Sequence, residues 1–93
     1  MYTLFPLGRT VITPTALEAL TSRDLANLIP TILARHELGD WGDVSQEDRE
    51  ANDTAVKGGE RLLSAYDIRE GFRVWVITEW DRSMTTILLP EDY

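Results

Sequence analysis

The chain has no cysteine and a single histidine, His36, among its 93 residues. Without thiols there is no disulfide framework, thiolate metal site or cysteine nucleophile, and the composition suits a reducing compartment. One imidazole forecloses the usual histidine-rich metal centres and catalytic triads. Long apolar runs are also missing. No stretch approaches the roughly 20 residues that span a bilayer. Met1 to Pro6 carry neither a basic segment ahead of an apolar run nor a cleavage pattern, so a cytoplasmic protein with no membrane partner is expected. Glycine-rich phosphate loops are absent too: no G-x-G-x-x-G after a strand, Walker A, H-E-x-x-H or G-x-S-x-G string occurs, and no cofactor and no metal are expected.

Positive charge is scarce. Nine Lys and Arg stand against sixteen Asp and Glu, for a net charge of −7. Nucleic-acid binders need a basic surface that displaces counterions, and here Arg9, Arg23, Arg35, Lys57, Arg61, Arg69, Arg73 and Arg82 are scattered among acids. Direct nucleic-acid binding is disfavoured, and a partner with a basic surface is favoured.

What is present is enough for one core. The apolar fraction is 43%, with three Trp, three Tyr and two Phe, which argues for a single folded domain over residues 1–93. Tyr2 to Phe5 and Thr10 to Thr13 read as short extended segments parted by a Pro6-Leu7-Gly8 turn. Thr13-Pro14 is a helix start: a hydroxyl to cap free amides, then a proline suited to the first helical position. Ser22 with Asp24 reads as the cap of a second helix, whose Leu25, Leu28, Ile29, Ile32 and Leu33 share one face. Pro30 predicts a kink or restart in it, and Gly39 its end. Ser45 predicts a third, mostly polar helix with Ala51, Ala55 and Val56 on its narrow apolar side, closing at Gly58-Gly59.

From Arg61 the period changes. Leu62 to Ile68, Phe72 to Trp80 and Met84 to Leu89 are rich in aromatic and β-branched residues and are split by turns at Glu70-Gly71 and Asp81-Arg82-Ser83. The expected fold is α+β: one or two short N-terminal strands, two to three helices, and a C-terminal three-stranded antiparallel meander with the helices on one face. The other face is free for a ligand, a partner or a second copy, so a homodimer is one expectation.

Candidate functional residues fall into two groups. Glu37, Asp40, Trp41, Asp43, Glu47 and Glu50 make an acidic segment around an aromatic anchor, suited to docking a basic protein surface; helix-dipole and solubility roles account for the same carboxylates without a partner. Trp41 either plugs a core edge or anchors that interface. The alternative is a sheet-borne site formed by Arg61, Tyr66, Arg73, Glu79 and Arg82 together. Arg82 pairs either a ligand carboxylate or its neighbours Glu79 and Asp81. A third expectation is a small-ligand pocket lined by Trp75, Trp80 or Tyr66. His36, next to Glu37 near a helix end, reads as a contact to terminal carbonyls rather than a general base.

The strings Gly39-Asp40-Trp41-Gly42, Arg61-Leu62-Leu63-Ser64-Ala65-Tyr66, Trp75-Val76-Ile77-Thr78-Glu79, Asp81-Arg82-Ser83 and Leu88-Leu89-Pro90-Glu91-Asp92-Tyr93, with Leu7-Gly8-Arg9-Thr10 and Thr13-Pro14, resemble a small bacterial family of "plasmid-related" proteins without established activity. Some of its members are labelled as a type I restriction methylation subunit, yet this chain has no N-P-P-[FY]-type string or glycine-rich cofactor loop. The resemblance implies a mobile-element setting and no activity; it is the acidic charge pattern and the lack of catalytic motifs that point to a non-enzymatic interaction protein, such as an acidic inhibitor of a host nucleic-acid-handling or defence system. The order strand, two helices, meander is similar to RelE and ParE toxins in topology alone.

Overall fold

A computed structural model describes residues 3–93. Strand β1 (Arg9–Ile12) leads through the Thr13 cap into helix α1 (Pro14–Ser22). A 3₁₀ turn (Ala26–Leu28) precedes α2 (Ile29–Glu37), and α3 (Gln46–Gly58) is followed by β2 (Leu62–Arg69), β3 (Phe72–Thr78) and β4 (Met84–Leu88). A last 3₁₀ turn covers Pro90–Asp92.

The sheet runs β1-β4-β3-β2. The β2–β3–β4 meander is antiparallel, as expected, but β1 joins β4 in parallel, so the sheet is mixed rather than purely antiparallel. A parallel partner is reached by a long crossover instead of a tight turn, here the whole helical stretch and two further strands. Of the other expected N-terminal strand, Tyr2 lies outside the described residues, and Leu4 and Phe5 form a bend whose Leu4 amide donates to the Glu37 carbonyl at 2.8 Å. β3 stops at Thr78, short of Trp80, because the Glu79 amide turns to the Met84 carbonyl to close the second hairpin.

Local chemistry sets the helix ends. Thr13 and Ser45 cap α1 and α3 as predicted, accepting from the amides of Ala16 and Asp48. Ser22 does not begin a helix. It belongs to the last turn of α1, and its hydroxyl donates to the Ala19 carbonyl at 3.2 Å. The chain then ends α1 in a Schellman pattern: Asp24 adopts φ 58°, its amide meets the Thr21 carbonyl, and the Leu25 amide reaches back to Leu20. Asp24 tolerates the left-handed well better than most residues, so the polar pair closes one helix instead of opening the next. Pro30 likewise starts α2 and does not kink it, since an amide in the first turn has no helical partner to lose.

Strand register sorts the side chains. Leu62, Ser64, Tyr66, Val74, Val76, Thr78, Thr85 and Ile87 share one face, and all three helices described pack on it. Ala16 and Leu20 of α1 and Ile32 of α2 meet Tyr66, Val74, Val76 and Ile87. Ala55 of α3 joins a second cluster with Phe5, Trp41 and Leu62. On α3 the inward residues are Asn52 and Ala55, while the expected Ala51 is exposed. The opposite face carries Leu63, Trp75, Ile77, Thr86 and Leu88 and has no α-helix over it among the described residues.

Candidate functional site

The acidic segment divides into residues that build the fold and residues that face water. Asp40 is clasped by the Arg35 guanidinium at 2.7 and 3.2 Å and also accepts from the Gly42 amide. That hydrogen bond to Arg35 holds the Asp40 carboxyl below its usual range. Asp43 accepts from the Asp67 amide at 2.8 Å, on the outer edge of β2. Trp41 is 1% exposed: its ring stacks on Phe5 and meets His36 edge-on, and its indole N–H donates to Asp53 at 3.0 Å. Trp41 therefore plugs the core and is withdrawn from any surface contact. A large ring flanked by Asp40 and Gly42 carries no local signal of its inward course. That course comes from Gly42, which at φ 76° lies so close to β2 that an added Cβ would fall 2.1 Å from the Ala65 carbonyl oxygen.

Glu47, Asp48 and Glu50 remain on the outer side of α3, all exposed. The ion pairs of the described residues are Arg35–Asp40, Arg61–Glu79 and Arg73–Asp67, and none involves α3. Glu50 accepts from Gln46, one turn earlier, and from no other side chain among the described residues. Glu37, half-buried at the end of α2, contributes its carbonyl to Leu4.

The alternative sheet residues do not converge. Tyr66 lies on the helix-covered face, 1% exposed, and its hydroxyl donates to the Asp40 carbonyl at 2.6 Å. Burial pushes that phenol up to about 12. Arg73 points to the opposite face and forms a fork with Asp67 at 2.5 and 2.9 Å. Arg61 lies 3.9 Å from Glu79 and donates to the Tyr93 hydroxyl at 2.8 Å. Arg82 bridges neither Glu79 nor Asp81 through their carboxylates. Its guanidinium donates to the carbonyls of Glu60, Glu79 and Ala55, tying the end of α3 to the β3–β4 turn. A residue-type reading looks for carboxylate partners of arginine, whereas here main-chain carbonyls in the last turn of α3, just beyond it and in the β3–β4 turn supply the acceptors.

His36 is fully buried and bonds to side chains of the sheet, not to helix-terminal carbonyls. Its tautomer follows from counting protons. Thr85 donates its one hydroxyl proton to the Leu7 carbonyl at 2.6 Å, so Thr78, 2.7 Å away, must donate to Thr85. Thr78 can then only accept from His36 Nε2 at 2.8 Å, and Nδ1 takes the proton of Ser64 at 2.6 Å. Burial, and then the charge of Arg82, lower the imidazole to about 4. Ser64 and His36 sit at the spacing of a nucleophile and its base, but both are 0% exposed with no solvent contact. The pair organises the core.

On the helix-free face Trp75 does line a groove, but with neighbours other than the expected Trp80 or Tyr66. Trp75 and Tyr93 meet edge to face with centroids 5.7 Å apart, and together with Leu63, Ile77 and Arg61 they line a shallow depression of about 210 Å³. The alternation along β3 puts apolar residues on both faces without saying which face Trp75 takes, and Tyr93, readable as an aromatic anchor of a polar tail, gives no indication of where it anchors. Asp92 decides its place: it accepts from Thr13 and Thr15 at 2.8 and 2.5 Å and turns the C-terminal residues back over the sheet. Trp80, 65% exposed, stands apart in the β3–β4 turn.

No protein-family model, curated protein or solved structure matches this chain. Among the described residues there is no group of three or more potential metal ligands, and no helix is long and apolar enough to cross a membrane.

Proposed function

We propose that this protein is an interaction domain that binds a basic surface of a partner protein through the outer side of α3, as an acidic inhibitor of a nucleic-acid-handling protein would. The observation that carries this reading is the row Glu47, Glu50, Asp53 with Asp48 beside it, exposed and outside every ion pair of the described residues. Residues three apart rise about 4.5 Å along a helix, comparable with the ~3.4 Å axial step of phosphates on one DNA strand. A surface shaped for a phosphate backbone would meet carboxylates at a similar pitch. The Ser45 cap and the positive end of the helix dipole stabilise Glu47 and Asp48 in place. The mobile-element setting comes from the resemblance described above and suits such an inhibitor.

The test is a charge-neutral variant, E47Q/D48N/E50Q, compared with wild type as bait in lysate of the host. Wild type is expected to retain a basic nucleic-acid-handling protein, to release it as salt rises, and to compete for it with duplex DNA. Equal retention by a variant whose circular dichroism is unchanged would overturn the α3 reading.

A second reading rests on the helix-free face, where Trp75, Tyr93 and Arg61 adjoin. These are the residue types that dominate interface energies. Loss of binding in Trp75→Ala, with the α3 variant still active, would select it.

A further inference from the structure

The two edges of the sheet are treated differently. Along β2 the outer edge is occupied: the Asn52 side chain pairs with both main-chain groups of Leu63, Ala65 exchanges hydrogen bonds with Trp41 and Asp43, and the Asp67 amide is capped by Asp43. Along β1 it is open. In a parallel ladder the amide and carbonyl of one residue point to the same side. The amides of Arg9 and Thr13 donate to Ser83 and Ile87 of the β4 chain, so Val11 between them also faces β4. Thr10 and Ile12 therefore turn their amides and carbonyls outward, and no partner meets them among the described residues.

We infer that this edge pairs with the same edge of a second copy, antiparallel about a two-fold axis at Val11, to give one continuous sheet of twice the width. With Val11 opposite its own copy, Thr10 and Ile12 exchange both hydrogen bonds across the axis, so every outward group of the strand is used. Shifting the axis to Thr10 or Ile12 pairs one of them beyond the strand. Charge opposes a second copy least along this edge. Two chains of net charge −7 repel over most of their surface, but from Leu7 to Thr13 the only charged residue is Arg9. A two-fold axis normal to the sheet keeps both helix layers on one side, and α1, which follows β1 directly, brings Leu17, 43% exposed, to that layer. The contact is self-complementary, as a two-fold interface must be.

The test uses the intact chain. Sedimentation of wild type over a concentration series is expected to show a reversible dimer. Thr10→Pro removes only an outward amide, which an edge strand tolerates, and is expected to weaken association at least about tenfold with an unchanged thermal melt at dilutions where wild type is monomeric. A monomer at every concentration, or a dimer as tight in Thr10→Pro, overturns the inference. Because the chain has no cysteine, Val11→Cys tests the register independently of that variant. Non-hydrogen-bonded neighbours lie about 4.5 Å apart at Cα, within disulfide reach. Mild oxidation should cross-link Val11→Cys quantitatively and Thr10→Cys poorly; the reverse order overturns the register. The α3 variant E47Q/D48N/E50Q should dimerise like wild type, so failure of this inference and failure of the α3 reading are separable.

Discussion

The carboxamide of Asn52 meets the main chain of Leu63 as a neighbouring strand would, donating to its carbonyl at 2.7 Å and accepting from its amide at 3.1 Å. A helix residue thus closes the edge of β2 where the sheet ends. Asn52→Ala leaves both groups partly buried and unmatched, and should lower stability by about 1–3 kcal/mol. Urea unfolding measures the loss, and faster amide exchange at Leu63 would locate it. A change confined to the noise of the denaturation midpoint would show that water replaces the carboxamide at no cost.

His36 should make stability depend on pH in a window set by its own burial. The unfolded chain takes up the imidazole proton near 6.5 and the folded chain only near about 4. The unfolded state therefore binds more protons between these values. The stabilisation is fully present above 6.5 and falls as pH drops toward 4, by about 3 kcal/mol in total. Asp40 and Asp67, held low chiefly by hydrogen bonds from Arg35 and Arg73, add their own loss only from the ordinary carboxylate range downward. His36→Ala should cost about 2–4 kcal/mol at neutral pH and flatten the slope between 6.5 and 4. A slope unchanged in the variant would assign the dependence to other groups. In wild type, ring ¹⁵N shifts should report the Nε2–H tautomer.

Gly42→Ala should be among the most damaging small substitutions. It combines φ 76° with a Cβ only 2.1 Å from the Ala65 carbonyl oxygen and 2.6 Å from the Tyr66 ring. A loss of about 3 kcal/mol or more is expected, with Trp41 fluorescence shifted red as its loop leaves the sheet. Retention of the wild-type melting temperature would refute the close approach.

Arg82→Ala should destabilise by about 2 kcal/mol through loss of the charged hydrogen bonds to the carbonyls of Ala55, Glu60 and Glu79, of which Ala55 and Glu79 keep main-chain donors. Arg82→Lys shares the positive φ of 61° at this position but lacks the fork. The difference between the two variants isolates the guanidinium geometry. Full recovery by lysine would show that charge alone suffices.

Sequence patterning carried the C-terminal meander, the caps at Thr13 and Ser45 and the helix-covered face, because each is written in neighbouring residues. The parallel partner of β1 is not written locally: β4 lies more than seventy positions away with no turn between them to read. Ser22 and Asp24 are ambiguous in principle, since the residues that cap a helix start also tolerate the turn that ends one. For the candidate site, the outward carboxylates of α3 were legible from helical periodicity. The inward courses of Trp41, Tyr66 and Arg82 were not, because they depend on a glycine contact, a strand register and the carbonyl end of α3.

The parallel ladder between Arg9–Ile12 and Met84–Leu88 also sets an order of events during synthesis. Among the described strands β1 leaves the ribosome first, yet its partner within the sheet, β4, follows β2 and β3. α1 and α2 emerge with it and have no sheet to pack upon until the meander is complete. The sheet is thus held back until β4 has emerged, when the β2–β3–β4 hairpins form from local contacts and capture β1 at the high entropic cost of distant pairing.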